Sequence, residues 1–302
     1  DIKIISILSE GYPADCKAIH NPPSILYAKG NTELLKEVKF AIIGARVATF
    51  ESLITAEKFA KELSQFGFCI VSGFAHGVDT YACRGALNYG TIQILGSGVN
   101  VVYPKQNTKL YEEVLKENGL FLSEMEPNAP AVAENFPLRN RIISSISKGI
   151  LLVQASKGSK PSGSLITARI CLDQEKDLFA IPGHPIDDKF SGGNDLIKNG
   201  NAIFTTTPKD IVDMIGYHLK RKTSIQKFDA GEHPPFNIPT IKVNASVKDK
   251  IKTYLSTNPI SLDELYFLTK INMRDLECAI MEMEISDEVR RHQTGKFSIS
   301  II

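Results

Sequence analysis

The sequence predicts an α/β fold, in which a doubly wound, mainly parallel sheet is followed by a small C-terminal winged-helix domain. Short apolar segments typical of buried strands recur along residues 39–219, and segments with helical spacing separate them. Helical spacing returns after Val243. The last segment, Glu288–Ile302, alternates around Thr294-Gly295 and predicts a terminal β-hairpin.

The predicted strands of the sheet are runs of four or five mostly apolar residues. They are Phe40–Ile43, Phe68–Ser72, Thr91–Leu95, Leu120–Ser123, Gly149–Val153 and Leu178–Ile181. Between the first two, Leu53, Ala56, Ala60 and Leu63 have the spacing of one helix face. Strands that alternate with helices favour right-handed crossovers and a parallel sheet. Such sheets bind ligands at the carboxyl ends of their strands.

Composition divides the chain into four segments. The first 38 residues contain Tyr12-Pro13 and Pro22-Pro23 and predict an irregular lead-in packed on the main domain. Prolines cluster again from Pro234 to Pro239, where large apolar residues are few, and predict a linker. The predicted segments are the lead-in 1–38, the sheet domain 39–219, the linker 220–242 and the winged-helix domain 243–302.

Bulk properties exclude several classes of protein. No apolar run approaches the roughly 20 residues that cross a bilayer, and Asp1–Glu10 lacks the features of a signal peptide. The five cysteines are scattered without a C-x-x-C pair, which argues against disulfides and structural zinc. We therefore expect a cytoplasmic protein without membrane contact, metal or cofactor. The net charge is only +1, so affinity for nucleic acid requires a local concentration of positive charge.

Small residues cluster after three predicted strands, in Gly44-Ala45-Arg46, Ser72–Asp79 and Gly96-Ser97-Gly98. Loops without bulky side chains let backbone N–H groups approach an anion beside a helix N-terminus. Glycines also serve tight turns alone, but three such loops at one sheet edge favour a site. None fits the common nucleotide fingerprints, because Gly44-Ala45-Arg46 and Gly96-Ser97-Gly98 lack glycines of G-x-G-x-x-G.

Positive charge concentrates between Phe136 and Arg169. This stretch contains six basic residues and no acidic one. The six are Arg139, Arg141, Lys148, Lys157, Lys160 and Arg169. Arginine binds phosphate through paired donors. We expect Arg139 and Arg141 to lie on loops at strand ends, where a charged side chain does not destabilise the hydrophobic core. A solvated basic face is the simpler alternative.

Hydroxyl and amide groups accompany this charge. Ser162, Ser164 and Thr167 can add donors where a helix begins, although Ser162-Gly163-Ser164 can also act only as a helix cap. Asn140 can contact a base edge or fix a loop. The stretch therefore favours a phosphate-binding site that includes these side chains.

The sequence offers no convincing set of catalytic residues. His76 lies near Asp79 in the second glycine-rich loop, but we expect it to fill the loop or contact a ligand rather than act as a base. Ser72 and Ser123 lie in no G-x-S-x-G frame. Glu124 is expected to accept a hydrogen bond that fixes a loop. The sequence therefore predicts binding without catalysis.

From about Tyr12 to Gly216, the motifs and their order along the chain resemble those of the DNA-processing A (Smf) family. The most specific segment is Phe136-Pro137-x-Arg139-Asn140-Arg141-Ile142-Ile143-Ser144. The other matches are Gly44-Ala45-Arg46, Ser72-Gly73-x-Ala75-x-Gly77-x-Asp79, Leu95-Gly96-Ser97-Gly98 with Tyr103-Pro104, Ser123-Glu124, Ser162-Gly163-Ser164-Leu165-x-Thr167-Ala168, Pro182-Gly183 and Gly193-Asn194-x-Leu196-Ile197.

The resemblance implies an extended Rossmann-like domain that binds single-stranded DNA in a basic pocket. It also implies a homodimer that protects incoming DNA and loads the RecA recombinase during natural transformation. The residues implied to line the pocket are Arg46, Ser72, Gly73, Arg139, Asn140, Arg141, Ser162, Gly163, Ser164 and Thr167, with Lys160 as a weaker candidate. Three residues depart from the family pattern: His76 replaces Arg, Cys83 replaces His, and Gln154 replaces Glu.

Two alternatives stay open at this point. The first is an enzyme on the same fold, a nucleotide-phosphate phosphoribohydrolase, but Gly158–Thr167 lacks the P-G-G run and catalytic Glu of that group. The second is a transcription regulator that uses the winged helix. Its predicted recognition helix, Met273–Glu284, has one basic and four acidic residues, which opposes contact with phosphate.

Overall fold

A computed structural model of the chain describes residues 1–158, 162–215, 245–255, 260–286, 288–292 and 296–299. The chain falls into two units, Asp1–Lys227 and Phe228–Ile302. The boundaries proposed for the linker, residues 220–242, stay predictions because that segment lies outside the described residues.

One sheet organises the described part of the first unit. Its strands are β1 (Ile2–Ser6), β2 (Ile25–Gly30), β3 (Lys39–Ile43), β4 (Cys69–Ser72), β5 (Thr91–Ile94), β6 (Leu120–Ser123), β7 (Gly149–Leu152), β8 (Asp177–Ala180) and β9 (Ile203–Phe204). They follow the order β1-β2-β6-β5-β4-β3-β7-β8-β9. Strands β3 to β9 pair in parallel, which confirms the predicted mainly parallel sheet.

Helices cover both faces of this sheet. They are α1 (Ala14–Lys17), α2 (Phe50–Phe66), α3 (Val78–Ala86), α4 (Thr108–Lys116), α5 (Asn135–Ile146), α6 (Gly163–Asp173), α7 (Ser191–Lys198) and α8 (Pro208–Ile215). Short 3-10 helices span Thr32–Lys36, Leu87–Tyr89, Lys105–Asn107 and Asp188–Phe190. The helix predicted from Leu53 to Leu63 is α2, which begins at the side-chain cap of Thr49 and ends at Gly67 in the left-handed conformation.

Alternating residues of the central strands face opposite layers. Phe40 and Ile42 of β3 pack in a cluster with residues of α2 and α3. Ala41 and Ile43 belong to a second cluster, which includes residues of α5 and α6. The strands are buried on both faces, and this explains why they are continuous apolar runs in the sequence.

The first 38 residues differ from the prediction of an irregular segment. Strand β2 pairs antiparallel with β6, and β1 pairs antiparallel with β2, so the lead-in extends the sheet. Leu26 of β2 is fully buried in the core cluster shared by α5 and α6, whereas Ile25 beside it is 39% exposed. The predicted packing on the main domain therefore includes strand pairing.

The strand order places a topological switch point between β3 and β7. The chain passes from β3 through α2 to β4 on one side, and from β6 through α5 back to β7 on the other. Loops at the carboxyl ends of these two strands therefore diverge, and such a switch point is where doubly wound sheets bind ligands.

The second unit contains three helices and a hairpin within its described residues. They are α9 (Ala245–Tyr254), α10 (Leu262–Thr269), α11 (Met273–Ile285), β10 (Val289–Arg291) and β11 (Phe297–Ile299). The two strands pair antiparallel, and Ile260 bridges to Phe297. This arrangement is the one expected of a winged helix. The predicted turn at Thr294-Gly295 lies outside the described residues.

No helix among the described residues combines the length and the apolar character needed to cross a bilayer.

The burial of β2 predicts that the first strands contribute to stability. We expect Leu26→Ala to lower the free energy of unfolding by about 2–5 kcal/mol, because it leaves a cavity in the shared core. The matched control Ile25→Ala removes a half-exposed side chain from the same strand and should cost about 0.5 kcal/mol or less. Denaturant titration measures both. Equal, small effects would contradict the placement of β2 in the cooperative core.

Candidate nucleic-acid interface

A cavity of about 620 Å³ lies at the switch point of the sheet, and we call it the strand-end pocket. Its walls come from the loop after β3, the loop before α3, the first half of α5 and the start of α6. Seven of the sequence-predicted residues line it: Arg46, Arg139, Asn140, Ser162, Gly163, Ser164 and Thr167. Lys160 lies outside the described residues.

Arg139 forms the floor of the strand-end pocket. Its side chain belongs to α5, not to a strand-end loop as expected, and the residue is only 6% exposed. Nη1 donates to the carbonyl oxygen of Gly73 at 2.6 Å and also to that of Ile94. Nε donates to Asn140 Oδ1 at 3.2 Å. One guanidinium therefore joins the ends of β4 and β5 to α5.

Burial shifts the pKa of the Arg139 guanidinium without neutralising it at neutral pH. It lowers the pKa of the Arg139 guanidinium to about 10, which is still well above neutral pH, so the side chain stays charged. Asp79 supplies an opposite charge. Burial raises the pKa of the Asp79 carboxyl, and the charge of Arg139 acts against that shift.

Gly73 lies where these two charged side chains converge. Asp79 Oδ2 accepts hydrogen bonds from the backbone N–H groups of Gly73 at 3.1 Å and Ala75 at 3.3 Å. A methyl group on Gly73 would lie 2.7 Å from Asp79 Oδ2 and 2.8 Å from both Nη atoms of Arg139. Gly73 thus has a steric role beneath the pocket. It is not among the residues that line the cavity.

Ser72 also lies beneath the strand-end pocket. It is fully buried, and its hydroxyl donates to the carbonyl oxygen of Ile42 at 2.7 Å. This bond joins β4 to β3 at the end of both strands. The Ser72 hydroxyl is therefore bonded within the sheet, and Ser72 is not part of the cavity wall.

The two glycine-rich loops touch each other through their backbones. The N–H of Val78 donates to the carbonyl oxygen of Ala45 at 3.2 Å. Gly77 has a positive φ of 82°, and a side chain there would collide with the backbone of Ala45 and Arg46. The glycine therefore lets the loop that carries Arg46 lie against the loop that precedes α3, so both contribute to one surface.

An aromatic ring lies close to both arginines of the strand-end pocket. The guanidinium carbon of Arg46 lies 5.7 Å from the ring centroid of Phe136, and that of Arg139 lies 5.9 Å from it. Arg46 is exposed. The ring of Tyr103 lies 5.4 Å from that of Phe136, centroid to centroid. Gly96 has no side chain to displace Phe136, whose Cδ1 would lie 2.8 Å from a methyl group there.

Helix α6 begins at the opposite wall. Ser162 Oγ accepts a hydrogen bond from the N–H of Leu165 at 3.3 Å and lies 3.1 Å from Ser164 Oγ. Thr167 Oγ1 donates to the carbonyl oxygen of Gly163 at 3.1 Å. A methyl group on Gly163 would meet no atom within 4 Å, so this first helical residue faces open space. A helix N-terminus with free N–H groups favours an anion.

Arg141 lies on the other side of α5. Its Nη2 donates to both carboxylate oxygens of Glu124, at 2.7 and 2.9 Å. This contact confirms the expectation that Glu124 accepts a hydrogen bond. It does not bring Arg141 to the strand-end pocket, where the resemblance implied it.

Acidic residues from other parts of the chain pair with several cations of the basic stretch Phe136–Arg169. Besides Arg141, Lys148 pairs with Asp15 at 3.2 Å and Lys157 pairs with Asp195 at 3.1 Å. These acids come from distant parts of the chain. Within the described residues, Arg46 and Arg139 are the two cations that line the strand-end pocket, and Asp79 lies beside them.

Three residues that line the strand-end pocket were not among the predicted site residues: Phe136, Tyr103 and Asp79. All three stand inside the matched motifs, but the sequence analysis looked for cations, hydrogen-bond donors and small residues, and an aromatic ring or a buried acid is none of these. Among the described residues, no group of three or more His, Cys, Asp or Glu has the arrangement of a metal site. His76 is exposed and is not part of the cavity wall.

Comparison of the sequence with known proteins identifies the family. The profile described as DNA recombination-mediator protein A matches residues 3–216. Protein Smf of Escherichia coli strain K12 is 35% identical over 248 residues, which are 80% of this chain and 65% of that protein. DNA processing protein DprA of Streptococcus pneumoniae is 37% identical over 203 residues, 67% of this chain and 70% of that protein.

Solved structures agree with these matches. The X-ray structure of DNA processing protein A from Streptococcus pneumoniae has a TM-score of 0.66 and 34% identity, covering 73% of this chain and 75% of that chain. DNA processing protein A from Helicobacter pylori, whose structure concerns its single-stranded DNA binding mode, has a TM-score of 0.65 and 30% identity, covering 73% and 98%. The chain therefore belongs to the DNA recombination-mediator protein A family, as its motifs predicted.

Proposed function

We propose that this protein binds single-stranded DNA in the strand-end pocket and acts as a mediator of recombination without catalysis. The observation that carries the proposal is the juxtaposition of two guanidinium groups, an aromatic ring and a helix N-terminus around one cavity. These groups match two of the three chemical parts of a nucleotide, its phosphate and its base.

The phosphate would bind between Arg46 and the start of α6. Arg46 is exposed, so its guanidinium can form charge-assisted hydrogen bonds without losing a partner in the core. The paired hydroxyls of Ser162 and Ser164, with the N–H groups of Gly163 and Ser164 at the start of α6, supply further donors on the facing wall.

The base would stack on Phe136, beside Tyr103. Stacking on an aromatic side chain tolerates any base, because every base has a π face. In a duplex those faces are covered by neighbouring base pairs. The proposal therefore favours single strands with little sequence preference.

Relatives support the same class of ligand. The structure of the Helicobacter pylori protein, which is 30% identical and 98% covered, is described as giving insight into its single-stranded DNA binding mode. The finer roles belong to the proposal: protection of incoming DNA, RecA loading, a homodimer and a cytoplasmic location. They rest on what the family resemblance implies.

The proposal predicts salt-dependent affinity for single strands. With about three phosphate contacts, the logarithm of affinity should fall against the logarithm of salt concentration with a slope of roughly −2. Fluorescence anisotropy with labelled oligo-dT and a duplex of equal length measures this. Nucleoside monophosphates serve as competitors, and their hydrolysis tests the enzyme alternative. A salt-independent affinity, a duplex preference or turnover of the monophosphate would contradict the proposal.

Two arginine substitutions should separate binding from stability. Arg46→Ala should weaken oligo-dT binding by about 1.5–3 kcal/mol, the value of a charge-assisted contact. It should leave the unfolding transition unchanged, because Arg46 is exposed. Arg139→Ala should weaken binding and also destabilise the fold by about 1–3 kcal/mol, since the carbonyl oxygens of Gly73 and Ile94 would lose a buried donor.

The matched control is Arg169→Ala. Arg169 belongs to the same basic stretch and is exposed on α6, but it does not line the strand-end pocket. Its loss should change affinity by no more than about twofold, as expected of a distant surface charge. Equal losses for Arg46→Ala and Arg169→Ala would show a diffuse basic surface instead of a pocket.

A further inference from the structure

Two residues of the matched motifs, Glu124 and Arg141, do not line the strand-end pocket, but they contact each other. Glu124 follows Ser123 at the end of β6, and Arg141 lies in α5. Arg141 Nη2 is bonded to both carboxylate oxygens, and the two side chains are only 14% and 25% exposed. A partly buried contact of this kind has a defined geometry, unlike an exposed surface pair.

Arg141 and Arg139 point in different directions because they are two residues apart in one helix. Two residues correspond to roughly 200° around the helix axis. Arg139 is directed into the strand-end pocket. Arg141 lines a second cavity, of about 520 Å³, together with Asp15, residues 18–21 and Asp173–Lys176.

The second cavity is unsuited to phosphate. Three carboxylates line it, those of Asp15, Asp173 and Glu175, against the cations Arg141 and Lys176. The charge of Arg141 is already matched by Glu124. This side of α5 therefore offers DNA no net positive charge.

Helix α5 is held at Arg141 from two directions. Glu124 binds the side chain of Arg141, and Gln174 Nε2 donates to its backbone carbonyl oxygen at 3.3 Å. The opposite side of the same helix carries Phe136, Arg139 and Asn140 into the strand-end pocket. A small rotation of α5 would move all three side chains together.

We propose that the Arg141–Glu124 ion pair is a positioning device, which fixes the rotation of α5 and so places Phe136, Arg139 and Asn140 for single-stranded DNA. The inference rests on the proposed function. It assigns a role to two motif residues, and it gives Arg141 an indirect effect on DNA in place of a contact.

The direction in which one substitution changes the affinity for DNA tests this proposal directly. Glu124→Gln removes a negative charge, and electrostatics alone predicts equal or tighter binding of a polyanion. Positioning predicts weaker binding. We expect Kd for oligo-dT to rise about fivefold to tenfold in Glu124→Gln and equally in Arg141→Gln, within the range of couplings between contacting residues.

Two further readouts separate positioning from contact. The double variant Glu124→Gln with Arg141→Gln should be no weaker than either single variant, since both remove the same interaction. The salt slope should match that of the wild-type chain in every one of these variants, whereas Arg46→Ala should reduce its magnitude by about 0.7. Lys148→Gln, which breaks the exposed pair with Asp15, is the matched control and should leave Kd unchanged.

All variants are assayed well below their thermal midpoints, with circular dichroism as the check of folding. If Glu124→Gln fails to fold, Glu124→Asp keeps the charge but shortens the side chain, and it should also weaken binding. Unchanged or tighter binding by the folded Glu124 variant overturns the proposal, as does a reduced salt slope in Arg141→Gln. If wild-type and Arg46→Ala bind equally, the proposed function fails, and this inference fails with it.

Discussion

The arrangement at the carboxyl edge of the sheet depends on one buried guanidinium. A charge in the core is costly unless it is paired and hydrogen-bonded. Arg139 meets this requirement with the carbonyl oxygens of Gly73 and Ile94, the amide of Asn140 and the nearby charge of Asp79. The ends of two neighbouring strands and one helix are thereby joined by a single side chain.

Other features of the site follow from that constraint. Gly73 lacks a side chain because both charged groups occupy the space beside its α carbon. Asp79 stands in the first turn of α3, and the backbone N–H groups of the preceding loop satisfy its carboxylate. Gly77 lets this loop lie against the one that carries Arg46. The proposed anion site is thus built from side chains and loops that also stabilise each other in the fold.

The central strands could be predicted because they are buried on both faces and therefore apolar throughout. The first two strands could not. Strand β2 pairs with β6, more than 90 residues later, as in the register Tyr27↔Ser123, and no local pattern specifies such a partner. Lys3 and Lys29, and the prolines between the two strands, weaken the local signal further.

The site was partly predictable for a similar reason. Small residues and arginines at strand ends indicated an anion site, because the carboxyl ends of parallel strands share one edge. The acids that neutralise Arg141 and Lys148 are 17 and 133 residues away, so the sequence could not show which cations remain free. Helix α5 was not predicted, because Pro137 lies near its start and proline usually indicates a break in a helix. Proline is nevertheless tolerated in a first helical turn.

A crystal structure of the full chain with oligo-dT tests the central claim most directly. The account predicts a phosphate within hydrogen-bond distance, about 2.7–3.2 Å, of Arg46 and the first turn of α6. It also predicts a base against Phe136, with Arg141 still bonded to Glu124. DNA bound in the second cavity or on the acidic helix α11, with the strand-end pocket empty, would contradict it.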